Sequence, residues 1–141
     1  MNKLSQSLED YLETIYTQTT TKGCAKVTDI ANELNVKKAS VTGALNALCE
    51  KGLINYAPYS AITLTNKGKT EAEKILLRHK VMTNFLKNVL FLNEEEATQN
   101  ACKMEHIMSS EMFNRIHKLS HFLQDYAKEN KEFHKKLENL F

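Results

Sequence analysis

One proline and four glycines among 141 residues leave few places where the backbone is forced to turn or is free to adopt unusual conformations. A collagen-like or low-complexity chain is excluded, and a helix-rich one is favoured. There is no tryptophan, and the three cysteines, Cys24, Cys49 and Cys102, are an odd number with no Cys-x-x-Cys pair. Neither a disulfide scaffold nor a zinc knuckle is indicated. Long apolar runs are missing too: a stretch such as Ile75-Leu76-Leu77 is far too short to cross a bilayer, and the N-terminus has no signal-peptide core. The expectation is a cytoplasmic protein with no membrane partner. Charge of one sign is scarce, the net being +2, so any nucleic-acid footprint must come from local clusters of lysine. No His-Glu-x-x-His motif or nucleophile constellation is present, which argues against a metallo-hydrolase and against an enzyme of any kind.

What is present is apolar content of 42% against 26% charged residues, enough to order most of the chain. Leu8, Tyr11, Leu12, Ile15 and Tyr16 recur at helical spacing, giving a first helix from about Ser5 to Thr19 that the polar Thr-Thr-Thr-Lys-Gly stretch should break. Val27, Ile30, Ala31 and Leu34 resume the period in a short second helix. A third begins near Ala39, with Val41, Leu45, Leu48 and Cys49 on its buried face and Gly52 at its end. Two short helices around a tight turn form a helix-turn-helix. Leu53–Tyr56 and Ala61–Leu64 then read as two strands about a turn, which supplies a wing.

A long helix from about Thr65 to Leu90 follows, with Ile75, His79, Met82 and Leu86 on one stripe. Asn93 with Glu96 three positions on opens another, whose apolar face is Ala97, Ala101, Met104 and Met108. Two more helices carry Met112, Ile116, Leu119, Leu123 and Tyr126, and then Phe133, Leu137 and Leu140. These faces exceed what one winged helix needs, and a symmetric homodimer would bury them. The fold class expected is mostly α: a winged helix-turn-helix over residues 1–70, then an all-helical dimerisation domain over residues 71–141.

Two constellations carry chemistry. Ser40, Thr42 and Asn46 on the third helix are candidate contacts to bases or phosphates, and Lys37, Lys38 and Lys67 can pair with phosphates of double-stranded DNA. The wing has no Lys or Arg, so minor-groove reading by it is not expected. Cys102, Glu105 and His106 lie on one side of a single helix, and a thiolate, a carboxylate and an imidazole there suit a transition metal. Taken singly, each has a bland reading: a small core residue, a surface acid, an edge histidine. His106 is read as an exposed ligand that adds little to packing. Asp10 and Glu13 stand one turn apart on the first helix, away from Leu8, Leu12 and Ile15, and His79 interrupts an apolar stripe where its ring nitrogens need partners.

The segments Ser7-Leu8-Glu9-Asp10-Tyr11-Leu12-Glu13-Thr14-Ile15-Tyr16, Ser40-Val41-Thr42, Leu64-Thr65-Asn66-Lys67-Gly68, Arg78-His79 and Ala101-Cys102-Lys103-Met104-Glu105-His106-Ile107-Met108-Ser109 together resemble the diphtheria toxin repressor and manganese transport regulator family. The resemblance runs over nearly all of residues 4–125. It implies a metal-dependent repressor that binds palindromic operator DNA as a dimer and shuts off metal-uptake genes. It also implies that Asp10, Glu13, His79, Cys102, Glu105 and His106 are ligands, for one or two divalent cations per subunit. Asp10 and Glu13 are similar to the manganese branch, whereas Cys102 is similar to the iron branch. Iron(II) is therefore expected ahead of manganese(II), since thiolate is the softer ligand. Thr83 and Thr98 lack the side chains that the iron branch uses in its ancillary site, so a second metal would draw on Glu13, His79 and Glu105. The alternative is a winged-helix regulator that senses oxidation or an organic effector without a required metal.

Overall fold

The computed structural model describes residues 3–141, which form seven helices and one two-stranded sheet. The chain divides into two compact units, one up to Leu76 and one from Leu77 to Phe141, with the division inside a long helix.

The first unit opens with α1, Gln6–Lys22. Ser5 caps it by accepting a hydrogen bond from the Leu8 amide. The threonine run does not break this helix: Thr20 and Thr21 donate their hydroxyls to the carbonyls of Tyr16 and Thr17, each at 2.8 Å, so the side chains satisfy helical backbone instead of competing with it. The stop comes at Gly23, whose φ of 81° is cheap only without a Cβ. Helices α2, Val27–Glu33, and α3, Lys38–Glu50, follow. Between them Asn35 adopts φ 52°, a left-handed turn that asparagine tolerates, and the Val36 amide returns to the Ala31 carbonyl at 3.0 Å. Leu12, Ile15, Ile30, Val41, Leu45 and Leu48 are fully buried in one core. Cys49 is exposed, against the expectation that it shares this face. Its neighbour Leu48 takes the core position, and the next residue of a helix is turned well away from it.

Strands β1, Ile54–Asn55, and β2, Thr63–Leu64, pair antiparallel with Ile54 opposite Leu64, and a bridge from Ile62 to Ala25 ties the wing to the segment joining α1 and α2. Leaving the wing, Thr65 caps α4, Asn66–Asn88: its hydroxyl accepts from the Gly68 amide at 3.0 Å and donates to the Gly52 carbonyl at 2.7 Å. Gly68 is packed so tightly that a Cβ there would fall 1.8 Å from the Leu53 carbonyl oxygen.

The second unit comprises the remainder of α4 with α5, Glu94–Ile107, α6, Ser110–Glu129, and α7, Lys131–Glu138. Asn93 caps α5 as its spacing indicated, accepting from the Glu96 amide. Val81, Met82, Leu86, Ala97, Ala101, Met108 and Phe113 form its core. Outside that core Met112, Leu119, Phe122 and Tyr126 of α6 are each about half or more exposed, as is Leu140 beyond α7. This is the surplus apolar surface the periodicity indicated. No described helix is long and apolar enough to cross a membrane.

Candidate metal centre and nucleic-acid face

Helix α5 builds the centre from its own periodicity. Ala97 and Ala101 point into the core of the second unit, and Glu105, four residues further, occupies the next position of the same stripe. Glu105 is therefore buried, with 1% of its surface exposed, and the reading of it as a surface acid is wrong. One carboxylate oxygen, Oε2, lies 3.0 Å from Nδ1 of His79 on α4. The other, Oε1, lies 3.4 Å from Nε2 of His106. His106 is itself only 8% exposed, which corrects its assignment as an exposed ligand: an imidazole next to Glu105 on the core edge of α5 is drawn into the same interior.

Cys102 stands one turn before His106 on the accessible side of α5, with its Sγ within 4.8 Å of a ring nitrogen of that histidine. Four of the six expected ligands, His79, Cys102, Glu105 and His106, are thus gathered within the second unit. Asp10 and Glu13 lie three residues apart on α1 of the first unit, both half-buried.

Electrostatics make this cluster unusual. A carboxylate out of water requires compensation, and the ionic partners of Glu105 among the described residues are imidazoles, with no lysine or arginine. Oε1 has no hydrogen bond among the described residues. A buried carboxylate oxygen lacking a donor, with imidazole nitrogens beside it and the Cys102 thiol near the His106 ring, fits a divalent cation: the donor set is nitrogen, oxygen and sulfur, and the oxygen that needs a partner is an acceptor. The site residues thus satisfy the chemistry a metal requires. The spacing of Ala97, Ala101 and Glu105 is the signal in the sequence that sets Glu105 on the apolar side of α5.

The candidate nucleic-acid residues lie in the first unit. Lys37 is the N-cap residue of α3, and Lys37, Lys38, Ser40 and Asn46 are all exposed. Thr42 is half-buried and donates its hydroxyl to the Lys38 carbonyl at 3.1 Å, leaving its methyl group and its oxygen lone pairs to meet a ligand. Lys67 is exposed but donates its ammonium to the Lys51 carbonyl at 2.9 Å, so it is held against the end of α3. Tyr59 at the tip of the wing was not among the sequence candidates. It is fully exposed and has φ 65°.

Comparison with known proteins places both units. Residues 3–62 match the iron dependent repressor N-terminal DNA binding domain, and residues 65–134 match the iron dependent repressor metal binding and dimerisation domain. An uncharacterised HTH-type transcriptional regulator of Methanocaldococcus jannaschii is 45% identical over 114 residues, covering 80% of this chain and 91% of that protein. The HTH-type transcriptional regulator MntR of Bacillus velezensis is 35% identical over 136 residues, covering 94% of this chain and 95% of the relative. Among solved structures, T. acidophilum IdeR superposes with a TM-score of 0.69 at 28% identity, over 82% of this chain and 54% of that one. A manganese-dependent transcriptional repressor in complex with manganese gives a TM-score of 0.74 at 27% identity, over 82% of this chain and 53% of the other. The chain thus spans about half the length of these solved neighbours, although it covers nearly the whole of the sequence relatives.

Proposed function

The chain belongs to the iron-dependent repressor family, and from that membership we propose that it represses metal-uptake genes by binding palindromic operator DNA as a homodimer when iron(II) or manganese(II) is bound. The single observation that carries the metal-dependent part is Glu105, a buried carboxylate held between His79 and His106 with Cys102 one turn away. His79, Cys102, Glu105 and His106 serve as ligands in this reading, and Asp10 and Glu13 of α1 complete the set. A divalent cation would supply positive charge beside the Glu105 carboxylate, with Asp10 and Glu13 offering it further carboxylate oxygens.

The protein's own part is to couple that point to DNA. α1 packs against α2 and α3 through Leu12 and Ile15, so a restraint on Asp10 and Glu13 is a restraint on α3, the recognition helix in this reading. Two recognition helices related by a two-fold axis must match two successive major-groove half-sites, so fixing their separation raises affinity without any new base contact. Lys37, Lys38 and Lys67 take phosphates, and Ser40, Thr42 and Asn46 face the bases or the adjoining phosphates. The exposed apolar face of α6, Met112, Leu119, Phe122 and Tyr126, is the surface we assign to the dimer. Iron(II) is the favoured activator because of the Cys102 thiolate, although the three carboxylates suit manganese(II).

The test is selection of duplexes from a random double-stranded library under anaerobic conditions with iron(II), with manganese(II) and with chelator. Enrichment of a two-fold symmetric sequence in the metal arms alone is expected. Equal enrichment under chelation would overturn the metal requirement and favour an oxidation or effector sensor.

A further inference from the structure

Helix α6 carries a second group of metal-binding side chains that the repressor site does not use. His117 and His121 are spaced four residues apart, and their ring centroids lie 4.9 Å apart with the planes at 51°. Together with Leu77, Lys80, Val81 and Asn84 of α4 and Ser120 of α6 they line one cleft of the second unit. Two histidines four apart on one helical face form the spacing with which helices chelate zinc, because both imidazoles can then reach a single ion. Neutral polar groups beside them are already engaged: Ser120 Oγ accepts from Gln124 at 2.7 Å, and Asn84 accepts from Asn88. The imidazole nitrogens are thus the ligands the cleft has to offer.

The pair lies away from the apolar face of α6. His117 is five residues from Met112, about 140° round the helix, and His121 is two residues from Leu119, about 160° round by the shorter path. A partner covering Met112, Leu119, Phe122 and Tyr126 would leave the histidines accessible. One group opposes a cation there, the Lys80 ammonium in the same cleft, whose charge weakens the hold of the pair on any cation.

We propose that His117 and His121 form a second metal site, for a nitrogen-preferring ion of the zinc, nickel and copper class rather than for manganese, with solvent filling the remaining positions. Imidazole suits zinc, nickel and copper, while manganese prefers carboxylate and carbonyl oxygen. The residues involved do not overlap the cluster on α5, so the two sites should load independently.

The experiment is zinc binding by equilibrium dialysis on the full-length protein, wild type against His117→Ala, His121→Ala and Lys80→Ala. The proposal expects loss of one bound zinc ion per chain in either histidine variant, and tighter binding of that ion in Lys80→Ala. Because His117 also packs against Phe113, a nitrogen-detected spectrum of the wild-type imidazoles provides an independent reading: zinc should shift the ring nitrogens of both histidines and manganese should not broaden them first. An unchanged zinc count in both histidine variants overturns the proposal, leaving a row of packed rings. Weaker rather than tighter binding in Lys80→Ala, or a response of these rings to inorganic phosphate and not to zinc, would also overturn it, in favour of an anion site.

Discussion

Replacing Glu105 by Gln removes a charge from the second unit while keeping its shape, and the consequences for stability with and without metal differ in a way that can be calculated. Without metal, the variant loses a buried carboxylate whose ionic partners are His79 and His106. An imidazole carries no permanent charge, so no stranded ion is left behind, and the amide can still bond to His79 in place of the 3.0 Å contact. The metal-free protein should therefore change by less than about 1 kcal/mol, which for a chain of this length is about 3 °C in Tm. With metal at a hundred times its dissociation constant, the wild type gains about 2.7 kcal/mol of stability, or about 8–10 °C. If the variant binds metal a hundredfold more weakly, the same metal concentration yields about 0.4 kcal/mol, or about 1 °C. Thermal unfolding followed by circular dichroism at the helix band, with chelator and with manganese(II), measures all four quantities. Two results would refute the reasoning: a metal-induced shift in Glu105→Gln equal to that of the wild type, or a metal-free variant melting lower by about 10 °C or more, which would make Glu105 a structural core residue.

Gly68→Ala should destabilise the first unit by at least about 2–3 kcal/mol, since its Cβ would meet the Leu53 carbonyl and force α4 off the wing; chemical denaturation with an unchanged midpoint would contradict the packing. Lys37→Ala and Lys38→Ala should weaken binding to all duplexes and each lower the salt slope by about one unit, whereas Thr42→Ala should alter sequence preference instead; fluorescence anisotropy across salt concentrations distinguishes the two behaviours. Cys102→Glu should raise activation by manganese(II) relative to iron(II) in anaerobic operator titrations, because oxygen replaces sulfur in the ligand set, and an unchanged ratio would show that the thiolate does not set selectivity.

How far the sequence alone reaches depends on whether the deciding interactions are local. Helical periodicity and capping are local, so spacing by itself marks Leu12, Ile15, Leu45 and Leu48 as core and Asn93 as a helix start. The wing is legible for the same reason, from two short strand-like runs about Pro58. Local rules fail where a side chain has two local options: the threonines ending α1 have the composition of a breaker, yet their hydroxyls bond back into the helix. They fail also for Cys49, where a one-residue error in the helical phase separates core from solvent.

The cluster of His79, Cys102, Glu105 and His106 shows the division most clearly. The one-sided spacing of the last three residues on α5 is written in the sequence, and so is the family resemblance that offers them as ligands. The burial of Glu105 and His106 is decided by tertiary structure, because it depends on α4 lying against α5 so that His79, 26 residues away in the chain, reaches the carboxylate. Periodicity shows which side of a helix is apolar. Only the packed fold shows which neighbour covers it, and hence whether an acid on that side stays in water or becomes a buried group that needs compensation.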